Sequence, residues 1–131
     1  IAIGFELRVL AKASLFWWPL SILLHKLGVV PVDRANAGGV VSTAVDTIRR
    51  SERIWFVVTP EGTRNRVDKW KAGFWKIARA ADVPVLMAYF HYPEKIIGLG
   101  PVFHTSADME ADMAAIRAWY RPWMGKTRGT V

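Results

Sequence analysis

No cysteine occurs among the 131 residues. That absence excludes disulfides, thiolate nucleophiles and metal sites built on thiolates. Histidine is scarce as well: His25, His91 and His104 are scattered, without the paired spacing of a zinc site, so no metal is expected. There is no Gly-rich loop ending in Lys and Ser or Thr, and no nucleophile elbow, which sets aside P-loop nucleotide chemistry and serine-hydrolase chemistry. No leader is evident, because "IAIGFELRVLAK" lacks a basic start feeding an apolar block. The most apolar stretch, "LFWWPLSILL" at residues 15–24, is interrupted by Pro19. It falls short of the roughly 20 residues that cross a bilayer, so no transmembrane helix is expected, although it suits a membrane interface.

What remains is an apolar, basic chain. At 52% hydrophobic it has the material for a core, and its length fits a single domain over residues 1–131. The formal charge of +7 points to an anionic partner: nucleic acid, an acidic membrane surface or a phosphorylated small molecule. Between Arg49 and Arg79, nine Lys or Arg face three acids (Glu52, Glu61, Asp68), so most of the excess lies in one segment.

Two kinds of segment alternate along the chain. "ELRVLAK" reads as a strand, residues 15–27 as an apolar helix that Gly28 terminates, and "VVPVDR" as a strand whose Pro31 suits a sheet edge. Val41, Ala44, Val45 and Ile48 recur at helical spacing, and so do Phe74, Ile77, Ala78 and Ala81. "RIWFVVT" and "VPVLMAYF" are apolar without alternation, the pattern of strands covered on both faces. A further strand is expected near residues 100–105, then a helix from about Ser106 with Met109, Met113, Ile116 and Tyr120 inward, and a fraying "MGKTRGTV" tail. The expected class is α/β: a mixed, largely parallel sheet flanked by helices.

In such sheets ligands sit beyond the carboxyl ends of strands. That singles out Asp33 and Arg34, the "PEGTR" of residues 60–64, and His91 to Lys95. In "PEGTR", Gly62 permits close backbone approach, Thr63 offers a hydroxyl, and Arg64 offers a planar fork for phosphate or carboxylate. Glu61 repels a phosphate, so its role is to hold an Arg or the loop backbone; the alternative for the whole stretch is a solvated turn with a local ion pair. Lys71 precedes a helix whose N-terminus favours anions. Trp70 and Trp75 either stack on a ligand or pack against the sheet, and packing is the better reading. His91 either reaches a ligand or packs at its strand end.

Taken together, "LGVVPVDR", "VVTPEGTR", "KWKAGFWKIA" and "VPVLMAYF", in that order, resemble the glycerophospholipid acyltransferase family, of the 1-acylglycerol-3-phosphate acyltransferase type. The resemblance implies acyl transfer from acyl-CoA or acyl-carrier protein to a hydroxyl of a lysophospholipid acceptor, lysophosphatidic acid by default, in phospholipid biosynthesis. It implies a peripheral place on the cytoplasmic face of a membrane and no cofactor beyond the acyl co-substrate. It assigns Arg34, Glu61, Gly62, Thr63, Arg64 and Lys71 to the acceptor's phosphate site.

One departure limits the match. The family's base is a His followed by Asp five positions on, ahead of the "VDR" block. Here Val30, Ile96 and Met109 stand five positions beyond His25, His91 and His104, so no catalytic residue is assigned. The chain opens on Ile1, which leads to the expectation of a C-terminal portion of the family domain with the base before it; a non-catalytic relative is the alternative. By itself the chain is expected to bind without turnover. A basic, Trp-rich nucleic-acid-binding domain is the competing reading, with nucleic acid not the expected partner.

Overall fold

A computed structural model describes residues 6–12, 18–32, 37–61 and 69–126. The chain divides into two compact units, Ile1–Thr59 and Pro60–Val131.

In the first unit, β1 (Glu6–Lys12) is the centre of a three-stranded parallel sheet, with β2 (Val29–Val32) on one side and β3 (Ile54–Val57) on the other. Pro31 lies in β2, an edge strand, where its missing N–H costs no ladder bond. Helix α1 (Leu20–Lys26) joins β1 to β2, and α2 (Ala37–Arg50) joins β2 to β3, the crossover that parallel strands require. The expected stripe of α2 is present, with Ala44, Val45 and Ile48 buried. α1 is shorter than expected, beginning after Pro19, and residues 13–17 lie outside the described residues.

Gly28 ends α1 as expected, at φ +78°. A second reason for glycine was not legible: a Cβ there would run into the carbonyl oxygen of Leu7 in β1, and the Gly28 carbonyl accepts from Val9 N–H at 3.2 Å. The reading of β3 as covered on both faces is corrected. Trp55 and Val57, two apart and so on one face, are 40% and 41% exposed, so that face is only partly covered.

In the second unit, α3 (Gly73–Ala81) and α4 (Met109–Tyr120) flank the antiparallel hairpin of β4 (Val85–His91) and β5 (Ile96–Phe103) in chain order. The mixed α/β class holds, with the parallel pairing in the first unit and an antiparallel pair in the second. Asp82 closes α3 in a left-handed conformation at φ 55°, and Val83 N–H returns to the Ala78 carbonyl.

The hairpin has one covered face. Met87 is buried with Trp70 and Ile116, Tyr89 lies over Gly98, and the Trp119 ring lies over Gly100. Its other face holds the cross-strand pairs Ala88–Leu99 and Phe90–Ile97, and Phe90, Leu99 and Ile97 are 61%, 66% and 75% exposed. The expectation that "VPVLMAYF" is buried on both faces is corrected accordingly. Met124, expected to fray, is held instead: its N–H donates to His91 Nδ1 at 3.1 Å, and its carbonyl accepts from Tyr92 N–H at 2.9 Å.

Gly28→Ala is expected to destabilise the protein by more than the roughly 1–2 kcal/mol of a left-handed non-glycine residue, since the Leu7 backbone must also move. A urea-unfolding midpoint indistinguishable from wild type contradicts this account.

Candidate functional site

Beyond β3, Pro60 and Lys71 are joined, with Lys71 N–H donating to the Pro60 carbonyl at 2.9 Å. One neutral hydrogen bond contributes about 0.5–1.5 kcal/mol, against about 1–2 kcal/mol for fixing each residue's backbone, so this clamp needs support. Trp70, one residue before Lys71, provides it. Its ring is 7% exposed, packed with Met87 and Ile116, and meets the Tyr120 ring edge-on with centroids 5.3 Å apart. Tyr120 is itself fixed to the hairpin, its hydroxyl donating to the Ala88 carbonyl at 2.8 Å.

Glu61 is half-buried at the other foot of the loop. Burial raises the Tyr120 pKa above its ordinary value, and the Glu61 charge raises it further, which sets that carboxylate within electrostatic reach of the phenol. Tyr120 therefore stays protonated at neutral pH and acts as a donor, not a base.

Lys71 is exposed, immediately before the Ala72 N-cap of α3. Alanine supplies no side-chain cap, so the helix start keeps donors and a positive potential beside an exposed cation. Of the residues expected to hold an anion, Glu61 and Lys71 are thus placed at the two feet of one loop. Gly62, Thr63 and Arg64 belong to the span between those feet and lie outside the described residues, as does Arg34 beyond β2.

The remaining candidates are structural. Trp75 donates from Nε1 to Asp112 Oδ2 at 2.7 Å, and Trp70 is core, which settles both in favour of packing. His91 packs edge-on to Trp123, centroids 5.7 Å apart, and its Nδ1 accepts from Met124. His104 and Asp108 form no dyad, because Asp108 caps α4, its Oδ1 accepting from Ala111 N–H at 3.0 Å. Among the described residues no group of three acids or histidines could hold a metal ion.

Two supporting residues were missed in the sequence. Asp112 is the one buried charged residue described, 6% exposed; its Oδ2 accepts from Trp75 Nε1 and from Ser106 N–H, and its Oδ1 from Ser106 Oγ at 2.8 Å. The Trp75 bond is the largest cause holding the carboxyl below its ordinary pKa, with the Ser106 bonds and the Arg79 charge acting the same way against desolvation. Its position four residues before Ile116 was a readable signal, since it repeats the spacing of the buried stripe. Tyr120 was placed on that stripe, but no periodicity reveals that a core ring also supports a loop.

A family model described as Acyltransferase matches residues 4–90. The matched span runs from before β1 almost to the end of β4 and contains Arg34, residues 60–64 and Lys71. No curated protein and no solved structure matches the chain.

Folding lowers the Asp112 pKa, so its stabilising contribution is complete above the ordinary value of 3.8 and is lost as pH falls through the lower folded value. Asp112→Asn is expected to lower stability at neutral pH and to flatten the acid limb of the stability profile below about pH 4. Parallel acid limbs for the variant and wild type in thermal melts from pH 2 to 7 refute this assignment.

Proposed function

The chain belongs to the acyltransferase family, and on that premise we propose that it serves acyl transfer to a lysophospholipid acceptor, lysophosphatidic acid by default. Acyl-CoA or acyl-carrier protein is the donor in this reading, with no other cofactor, in phospholipid biosynthesis, and the 131 residues contribute to one acyltransferase domain. The observation that supports it is the Lys71 N–H bonded to the Pro60 carbonyl, which brings a cation ahead of an uncapped helix start next to the first residue of "PEGTR".

An acceptor phosphate carries up to two negative charges and suits Arg forks and a Lys point charge together. In this reading Arg64 and Lys71 supply these, Thr63 adds a hydroxyl, Gly62 lets the backbone approach, and Arg34 gives a further guanidinium. Glu61 has the role of holding a neighbouring Arg or the loop backbone. With the acceptor held, its hydroxyl oxygen attacks the thioester carbonyl carbon as a base removes the proton; the carbon–sulfur bond breaks and the thiol leaves protonated. The base expected from the resemblance is a His with an Asp five positions on, and His25, His91 and His104 do not provide it. Such a base typically contributes about 10² to 10⁴ in rate, so binding without measurable turnover is the behaviour proposed for these 131 residues.

The nucleic-acid alternative needs free aromatic faces. Trp70, Trp119 and Trp123 are engaged with other rings inside the second unit, and Trp75 is bonded to Asp112, which argues against it.

A peripheral membrane position is part of the proposal. No helix among the described residues is long and apolar enough to cross a bilayer. The exposed hairpin residues Phe90, Ile97 and Leu99, with exposed Lys95 in the adjoining turn, suit a surface that is apolar beneath and anionic above.

In calorimetric titration the chain is expected to bind lysophosphatidic acid at least about tenfold more tightly than monoacylglycerol of the same chain length, since the lost contacts are charge-assisted. Arg64→Ala is expected to remove most of that preference while leaving acyl-CoA affinity unchanged. Equal affinity for the two lipids, or equal losses toward lipid and acyl-CoA, contradicts the phosphate site. On vesicles, wild type is expected to co-sediment with anionic more than with neutral lipid, and the double change Ile97→Asp with Leu99→Asp to reduce this by about tenfold or more. Unchanged sedimentation of that variant removes the hairpin from the membrane reading.

A further inference from the structure

We propose that residues 121–126, which follow α4, form a strap latched to the hairpin by the side chain of His91, and that acid opens the latch. The family match ends at residue 90, so strap and latch lie beyond the span it covers.

The strap is held by successive contacts. It leaves α4 in a tight turn, with Trp123 N–H donating to the Tyr120 carbonyl at 3.1 Å. Tyr89 and His91, two apart on β4 and so on one face, both meet the Trp123 ring. Tyr89 stacks on it with centroids 4.0 Å apart, and His91 meets it edge-on at 5.7 Å. One residue further, Met124 bonds to the hairpin in both directions. Its carbonyl accepts from Tyr92 N–H at 2.9 Å, and its N–H donates to His91 Nδ1 at 3.1 Å.

These contacts differ in what they require. Ring stacking and a bond between two backbone groups are indifferent to pH across the neutral range. The Met124 N–H can only donate, so its partner Nδ1 must keep a lone pair. A proton added to Nδ1 turns that acceptor into a donor, and two donors then face each other with a backbone N–H unmet. Histidine side chains change charge between about pH 5 and 8, so the latch weakens as pH falls through that range.

The surroundings leave His91 to act alone. Among the described residues no charged side chain is hydrogen-bonded or ion-paired to it: it meets Trp123 and Met124, Ile96 stands opposite on β5, and Tyr89 shares its face. The nearest charges along the chain, Glu94 and Lys95 in the turn and Arg121 and Lys126 on the strap, are exposed. Opening separates the stacked faces of Trp123 and Tyr89, at an end of the hairpin where Tyr92 and Ile96 are already exposed. That end therefore gains aromatic surface in acid.

The test reads amide hydrogen exchange at Met124 in the 131-residue chain, corrected for the intrinsic rate, at about pH 7.5 and about pH 5.5. Protection of Met124 is expected to fall about tenfold or more in acid, the scale of one lost bond whose donor is left unmet, while protection of Ile116 changes less than about twofold. Two variants remove the titration in opposite ways. His91→Asn keeps an acceptor oxygen near the Nδ1 position, and His91→Phe keeps a ring without any acceptor; the acid-induced fall is expected to vanish in both. Equal wild-type protection at the two pH values overturns the proposal. So does a fall that persists in either variant, which places the sensitivity elsewhere, or a Phe variant as protected as wild type near pH 7.5, which shows that the bond latches nothing. Should one variant fail to fold, the other is read by the same criteria.

Discussion

A buried carboxylate must be given donors, and the joining of α3 to α4 in the second unit depends on that requirement at Asp112. Its two oxygens take an indole N–H from α3 and both the backbone N–H and the hydroxyl of Ser106 ahead of α4. The donors come from two parts of the chain, Trp75 in α3 and Ser106 ahead of α4, so satisfying the charge sets α3, the approach to α4 and α4 itself in one arrangement. The consequence reaches the site. Trp75 is in the first turn of α3, Lys71 stands before that turn, and Tyr120 lies two turns beyond Asp112 on α4. The network thus fixes the start of α3, which Lys71 precedes, against α4.

The first unit depends on close backbone approach instead of buried charge. Gly28 lets the end of α1 pass against β1 near Leu7, and β2 starts at the next residue in register with Val9. A bulkier residue there displaces the strand that carries "VDR". That makes one glycine between a helix and an edge strand matter more to the placement of β2 than the apolar content of β2 itself. Hydrophobic burial supplies attraction, but it does not choose between registers differing by two residues. A fixed close contact does.

Periodicity made the elements legible: α2, α3 and α4 were readable from apolar spacing, and Gly28 and Pro31 from backbone chemistry. The failures share a cause. "RIWFVVT" and "VPVLMAYF" are apolar on both sides of the pleat, which looks the same whether a strand is buried or leaves one face bare. Pairing direction was equally hidden, since β4 has the composition of a parallel strand yet pairs antiparallel with β5. In the site, the position of Lys71 ahead of a helix start was legible. The bond between Lys71 N–H and the Pro60 carbonyl was not, because backbone bonds between loop ends leave no residue-type signature.

The roles of the histidines sharpen what this chain is suited to do. A general base needs a nitrogen lone pair turned toward its substrate. His91 uses Nδ1 to accept the Met124 N–H, so that lone pair is engaged within the chain instead of facing a substrate. Asp108, the carboxylate nearest in sequence to His104, is engaged in capping α4. The groups that resemble a base and its orienting acid have thus been given to hairpin closure and helix capping. Beside that framework, Trp70 is packed in the core against Tyr120, and Lys71, the next residue, is exposed ahead of α3. A base works best in a site drier than an exposed Lys71 provides, so the described surroundings of Lys71 suit contact with an anion from solvent better than proton abstraction.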